Sequence, residues 1–227
     1  MTKCKKCSEE IGKKDKACPG CGSKQKPGVL KQAFFGLAGA IVLITVISAI
    51  TEGGDGDSAN SAQADREARM PESQLQFVGA AQQARQSASE ASNDMAKGGI
   101  RVDRAAQICQ ALAGNAGIQG WVGEVTKIDS NSDGKGVLSI SLAENVTVTT
   151  WNNALSDIGS GTLIEPNTDL FNTVSAMTRG DLVEFGGQFT QSDVDCVGEQ
   201  SLTLDGSLTD PEYTMVFENV RPLPTGS

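Results

Sequence analysis

The sequence predicts a chain in three parts: a small metal-held head, one membrane-crossing helix, and an α+β domain in which helices precede a five-stranded barrel. Three observations carry this prediction. Four cysteines fall in two C-x-x-C pairs before residue 22, residues 33–50 form an 18-residue run without a charge, and from Gly120 onward short β-like segments alternate with turn residues.

The head, residues 1–26, holds Cys4 and Cys7 and then, ten residues after Cys7, Cys18 and Cys21. Each pair can present two thiolates to one tetrahedral ion, and a segment this short needs a metal or a crosslink to fold. Two disulfides, or an iron centre of the rubredoxin type, would use the same four residues. Residues 3–24, with the knuckle CPGCG at 18–22, resemble the zinc-ribbon family. The resemblance implies a structural zinc closed by Cys4, Cys7, Cys18 and Cys21, and it implies no catalysis.

Residues 1–50 contain nine Lys and no Arg against three acids, whereas the chain as a whole carries −9, so the remainder is strongly acidic. Phosphate contacts need clustered cations, so nucleic-acid binding is not expected of the acidic part. The sequence has no His, which removes the usual general base and the commonest nucleophile activator, and no enzymatic activity is expected.

The run AFFGLAGAIVLITVISAI at 33–50, extended to 29 by Val29 and Leu30, is long enough to cover most of a hydrocarbon core of roughly 30 Å. Lysines precede it, and Glu52, Asp55 and Asp57 follow it. By the positive-inside rule this predicts a single-pass helix over 29–50 with the N-terminus in the cytoplasm. The location expected is a bacterial inner or plasma membrane, with the C-terminal domain periplasmic or extracellular. Residues 51–71 read as a flexible linker, because 51–66 carry no large apolar side chain to offset ordering entropy.

A helical segment is predicted over 72–113. Phe77, Ala81, Ala84, Ala88, Ala91 and Met95 form an alanine-rich seam along a helix from Glu72 to Lys97, which Gly98 and Gly99 end. A second helix over 102–113 places Cys109 toward a core, with Val102, Ala105, Ala106, Leu112 and Ala113 on the same face.

Strands follow at 120–129, 137–142 and 145–151, then a helix at 170–177, then strands at 181–189 and 213–220. Three strands, a helix and two strands give the chain order of an OB-like five-stranded barrel over 119–223, with Gly186 and Gly187 allowing a bend.

Cys109 of the helical segment and Cys196 of the barrel domain are expected to form a disulfide in an oxidising milieu. Trp121 and Trp151, at strand ends, and Asn152 and Asn153 are candidate ligand-binding residues, with packing and turn formation as the plainer readings. Asp193 and Asp195 complete no calcium loop and read as part of a hairpin or solvent loop.

The stretch 72–223 is also similar to an uncharacterised family of bacterial envelope proteins, through NDMAKGG, WNNALSDIGSGTLI and SLTLDGSLTDPE. That resemblance implies a bacterial setting and transfers no activity. The function expected is therefore a membrane-anchored envelope protein with a cytoplasmic zinc ribbon and an extracytoplasmic domain that binds a ligand or a protein partner. The alternative is a membrane-tethered nucleic-acid binder acting through the basic head.

Overall fold

The computed structural model describes residues 66–224, together with the backbone of Thr2–Lys3 and Glu10–Ile11. The chain divides into two compact units, Met1–Thr51 and Glu52–Ser227. In the first unit, strands β1 (Thr2–Lys3) and β2 (Glu10–Ile11) pair antiparallel.

The second unit opens with helices α1 (Glu72–Glu90) and α2 (Asp94–Ala111). The break between them falls at Ala91–Asn93, because the Asn93 side chain accepts the Ala96 N–H at 3.0 Å and so starts α2 as its N-cap. The expected stop at Gly98 and Gly99 is therefore corrected. Both glycines lie inside α2, where their cost in helix propensity, about 1 kcal/mol each, is outweighed by the cap and by packing.

The seam of α1 faces the core through Phe77, Ala81, Ala84 and Ala88, but Met95 is exposed. The buried face of α2 is Arg104, Ala105, Ile108 and Ala111, with Val102 and Cys109 turned outward, so the expected face was rotated. Met70, at the end of the expected linker, is buried.

After the helices come β3 (Gly117–Ser130), β4 (Gly136–Ala143), β5 (Val146–Thr149), helix α3 (Asp169–Ser175), β6 (Leu182–Phe189) and, much later, β9 (Glu212–Pro222), and these five strands build one mixed sheet. Its order is β3-β4-β5-β9-β6, and β6 pairs back onto β3, so the ring closes. All neighbours are antiparallel except β5 and β9.

Period-two alternation places Leu138, Ile140 and Leu142 of β4 inside the ring, where they meet Val125, Val148, Val183, Phe185 and Met215. The ring bends where the β6–β9 register shifts between Gly186 and Gly187. A Cβ on Gly187 would lie 2.1 Å from the Val216 carbonyl oxygen.

Phe77 of α1 brings an aromatic cluster together. Its ring stacks on Phe189 at 5.3 Å and meets Trp121 and Tyr213 edge-on at 5.2 and 4.8 Å. Pairing of β3 with β4 begins only at Glu124, and the Gln74 amide takes up the backbone beyond it. Val122 N–H donates to Gln74 Oε1 at 2.8 Å, and Gln74 Nε2 donates to the Val122 carbonyl at 2.5 Å. The hairpin α1–α2 is thus stitched to the sheet by apolar and by polar contacts.

The β6–β9 connection is an excursion carrying β7 (Gln191–Ser192), β8 (Cys196–Val197) and helix α4 (Leu204–Thr209). None of these three elements was expected. Their signals are two-residue strands and one short helix with a Thr203 cap, too brief for periodicity to show.

The expected fold class is corrected by this architecture. Among the described residues no helix is long and apolar enough to cross a membrane, because α1 and α2, the long ones, carry Glu72, Arg85, Glu90, Asp94, Lys97, Arg101 and Arg104. Among the described residues no group of three or more His, Cys, Asp or Glu can hold a metal ion. What stands is a set of helices and a five-stranded mixed sheet with a disulfide. The single-pass membrane association, with a cytoplasmic N-terminus and a bacterial inner- or plasma-membrane location, is corrected with the fold class. The segments behind those expectations, 29–50 and all of 1–26 except the backbone of Thr2–Lys3 and Glu10–Ile11, lie outside the described residues, Cys4, Cys7, Cys18 and Cys21 among them, as does 51–65 of the linker.

Candidate functional site

Two constellations stand out, one built to hold the domain together and one that faces solvent. The first surrounds the disulfide. Cys109 on α2 and Cys196 at the start of β8 are bonded, which points to an oxidising compartment. Cys196 has φ +67°, a left-handed conformation that a non-glycine residue adopts only when its surroundings hold it there.

Next to it, Asp195 is 2 % exposed and receives two arginines of α2. Arg101 Nε donates to its Oδ1 at 2.8 Å, and a second Arg101 nitrogen donates to Oδ2. Arg104, itself 1 % exposed, donates to Oδ1 at 2.7 Å and to the Ser207 carbonyl of α4, while its guanidinium lies over the Tyr213 ring at 5.7 Å.

Burial pushes the Asp195 carboxyl up, but the Arg101 hydrogen bond and the charges of Arg104 and Arg101 outweigh it and hold the group below the usual carboxylate range. Burial raises the Tyr213 hydroxyl in turn. Sequence reasoning put Asp195 in a hairpin or solvent loop; it does sit in the β7–β8 hairpin, but its side chain is buried, and Arg101 and Arg104 were missed. The available signal was two arginines one helical turn apart on a helix whose cysteine bonds the residue next to an Asp.

The second constellation is the loop from Trp151 to Ile164, between β5 and α3. Both its ends are tied to β4: Thr150 N–H donates to the Leu138 carbonyl at 3.0 Å, and Ile164 and Gly136 exchange backbone hydrogen bonds at 2.7 and 3.0 Å. Inside the loop, Asp157 acts as a clamp. Its Oδ1 accepts from the Thr162 N–H and hydroxyl, both at 2.7 Å, and its Oδ2 from the Leu163 N–H at 3.3 Å.

Asn153 caps the preceding turn by accepting the Ser156 N–H at 2.9 Å. Gly159 and Gly161, at φ +83° and +63°, supply the reversed backbone that brings the chain back to Thr162.

The result is a fixed loop that presents apolar side chains outward. Leu155 is 79 % exposed and Ile158 76 % exposed. A surface cleft of about 440 Å³ opens beside Ile158, lined also by Ala154, Ser160, Leu163 and Lys135, whose ammonium is paired with Glu165 at 2.5 Å.

Of the four candidate ligand-binding residues, three open this loop. Trp151 is half-buried, and its N–H donates to Thr162 Oγ1 at 2.7 Å. Asn152 and Asn153 are exposed and bonded to each other at 2.7 Å, so the turn role is the one their geometry shows.

Trp121 does not join them. At 1 % exposure it lies in the aromatic cluster with its Nε1 donating to Ser73 Oγ at 3.3 Å, so of its two readings the plainer one, core packing, is the one this geometry fits. Sequence reasoning also missed Leu155 and Ile158, whose signal was two large aliphatics in an Asn-, Ser- and Gly-rich segment without periodicity. The zinc expected as cofactor, its four cysteines, and the nucleic-acid alternative all rest on residues outside the described ones.

No family model matches the chain, and no curated protein matches it.

Proposed function

We propose that residues 72–223 form a non-enzymatic binding module of an oxidising compartment, which docks a protein partner on the loop 151–164. The observation that carries the reading is the exposure of Leu155 and Ile158 on a loop whose backbone Asp157 and Asn153 lock. An isolated exposed aliphatic side chain is unremarkable on a protein surface. Two of them, three positions apart on a loop held by side-chain clamps beside a cleft, form a preorganised apolar contact with little ordering left to be done on binding. The interior of the sheet is filled by packed side chains, which supports a reading in which recognition falls to its loops.

The test starts from a photocrosslinker placed at position 155 in the source cells to identify the partner, followed by its affinity for the purified chain. Burying both side chains at an interface is worth about 1.5–3 kcal/mol each, so Leu155→Ser with Ile158→Ser weakens binding at least about tenfold. Leu202→Ser, which alters a fully exposed aliphatic residue outside the loop, leaves it unchanged. Equal affinity of the double variant and the wild type refutes the proposal.

A further inference from the structure

The described residues from 66 onward carry ten Lys and Arg against twenty-one Asp and Glu. In such an acidic surface most cations find a partner. Arg85, Lys97, Arg101, Arg104, Lys135 and Arg221 all stand in ion pairs. Among the described residues neither Lys127 nor Arg179 has such a partner, and both line the same cleft of about 410 Å³.

The cleft lies where β3 is irregular. Its register on β4 shifts between Val125 and Lys127, which leaves Thr126 as an extra residue whose hydroxyl donates to the Ser139 carbonyl at 3.2 Å. The turn from α3 to β6 docks onto this irregularity: Val125 N–H donates to the Asp181 carbonyl at 2.9 Å, and Gly180 N–H donates to the Val125 carbonyl at 2.8 Å. Both walls are therefore fixed by backbone hydrogen bonds, and the cleft is preformed.

The acids nearby leave the two cations free. The Asp181 carboxylate, two residues from Arg179, is taken up inside its own turn by the Thr178 N–H at 2.8 Å and the Thr178 hydroxyl at 3.0 Å. Asp129, two residues from Lys127, accepts the Ser130 N–H at 2.8 Å. Lys127 acts on Glu212 through space without pairing with it, and burial, Asp210 and Glu199 together hold that carboxyl above its usual range. Ile128 and Met177, both half-buried, add an apolar part to the lining of the cleft.

We propose that the cleft between the β3 irregularity and the α3–β6 turn binds a small organic oxyanion, with Lys127 and Arg179 taking its charged group and Ile128 and Met177 its aliphatic part. The site is separate from the loop 151–164 and does not depend on the reading given for it. An oxyanion is favoured over a polyanion such as nucleic acid because two cations surrounded by acids offer one local positive field and no track.

The proposal is tested by NMR titration of the full ¹⁵N-labelled chain at low ionic strength with three probes: hexanoate, inorganic phosphate and hexylammonium. Hexanoate is expected to shift the amides of 126–128 and 177–179 saturably, and hexylammonium is expected not to. In Lys127→Gln with Arg179→Gln, two exposed changes that leave the spectrum otherwise dispersed, the hexanoate affinity falls at least tenfold. The proposal is overturned if neither anion gives saturable shifts at these amides, if hexylammonium shifts them as hexanoate does, or if the double variant binds hexanoate as the wild type does.

Discussion

Removing the Asp195 carboxylate is the sharpest probe of how this domain is held together. Asp195→Ala leaves the fully buried Arg104 with a hydrogen bond to the Ser207 carbonyl and no counter-charge, and it strips Arg101 of both its bonds. Breaking a buried pair from one side costs about 3–5 kcal/mol. Arg101 is partly exposed and recovers some hydration, which puts the expected loss in the lower half of that range, about 3–4 kcal/mol.

Arg104→Met removes the buried charge instead. It keeps volume and leaves Asp195 in the two-pronged grip of Arg101, so its loss is smaller, about 1–2 kcal/mol. The two together should cost less than Asp195→Ala alone, because the stranded cation is gone. Urea unfolding of the oxidised protein, read at constant m-value, measures all three. Should Asp195→Ala be too unstable to purify, recovery of a cooperative transition in the double variant carries the same information. A cost for Asp195→Ala below 1 kcal/mol, or a larger cost for Arg104→Met, refutes the argument.

Two further outcomes follow from the same region. The Asp195 carboxyl titrates lower in the folded chain than in the unfolded one, so in acid the unfolded state binds the extra proton and stability falls. The contribution is whole above about pH 4 and is lost as pH drops through the depressed folded value, so wild type should lose stability more steeply below about pH 4 than Asp195→Asn, as acid-range urea midpoints would show. The disulfide closes a loop with a sequence separation of 87, for which chain entropy gives about 4–5 kcal/mol as an upper guide. Cys109→Ser with Cys196→Ser should therefore lower Tm by roughly 8–18 °C in calorimetry, and an unchanged Tm would show that the excursion is held without the bond.

How much of this was legible depended on which physical signal carried each part. The alternation of Leu138, Ile140 and Leu142 fixes a strand face, because a period of two cannot be slipped without moving every side chain to solvent. The helix boundary at Asn93 was legible in principle, since an N-capping Asn followed by Asp94 is a stronger start signal than two glycines are a stop signal.

The inward face of α2 was hidden by one of its most buried residues. An arginine reads as polar, and only a carboxylate 91 positions away makes Arg104 a core residue. Asp195 was hidden for the mirror-image reason. Trp121 was ambiguous at a strand end until Phe77 of the preceding helix closed over it. The exposed aliphatics of the loop 151–164 have no periodicity to betray them, and their meaning comes from the Asp157 clamp that the sequence alone cannot show.

These particulars bear on where the folding unit begins. The excursion from 190 to 211 has little apolar surface of its own; Val197 and Leu208 are its buried aliphatics. It is held from outside instead. Gly198 is threaded between Thr190 and Thr214, with its N–H on the Thr190 carbonyl and its own carbonyl on the Thr214 N–H, so close that a Cβ would fall 1.8 Å from Thr190 Oγ1. Further ties run to α2 through the disulfide and the Asp195 ion pairs, to α1 where Leu208 packs against Ala84 and Ala88, and to β9 where the Gln200 N–H donates to the Glu212 carbonyl at 3.0 Å. On the other helix, Phe77 and Gln74 complete the aromatic cluster and the β3 ladder. A boundary drawn between the helices and the strands, at about residue 115, would therefore cut a disulfide, a buried ion pair and the core in one stroke. The hairpin α1–α2 is a wall of the domain, and the loop 151–164 and the β3 cleft are presented by a frame that includes it.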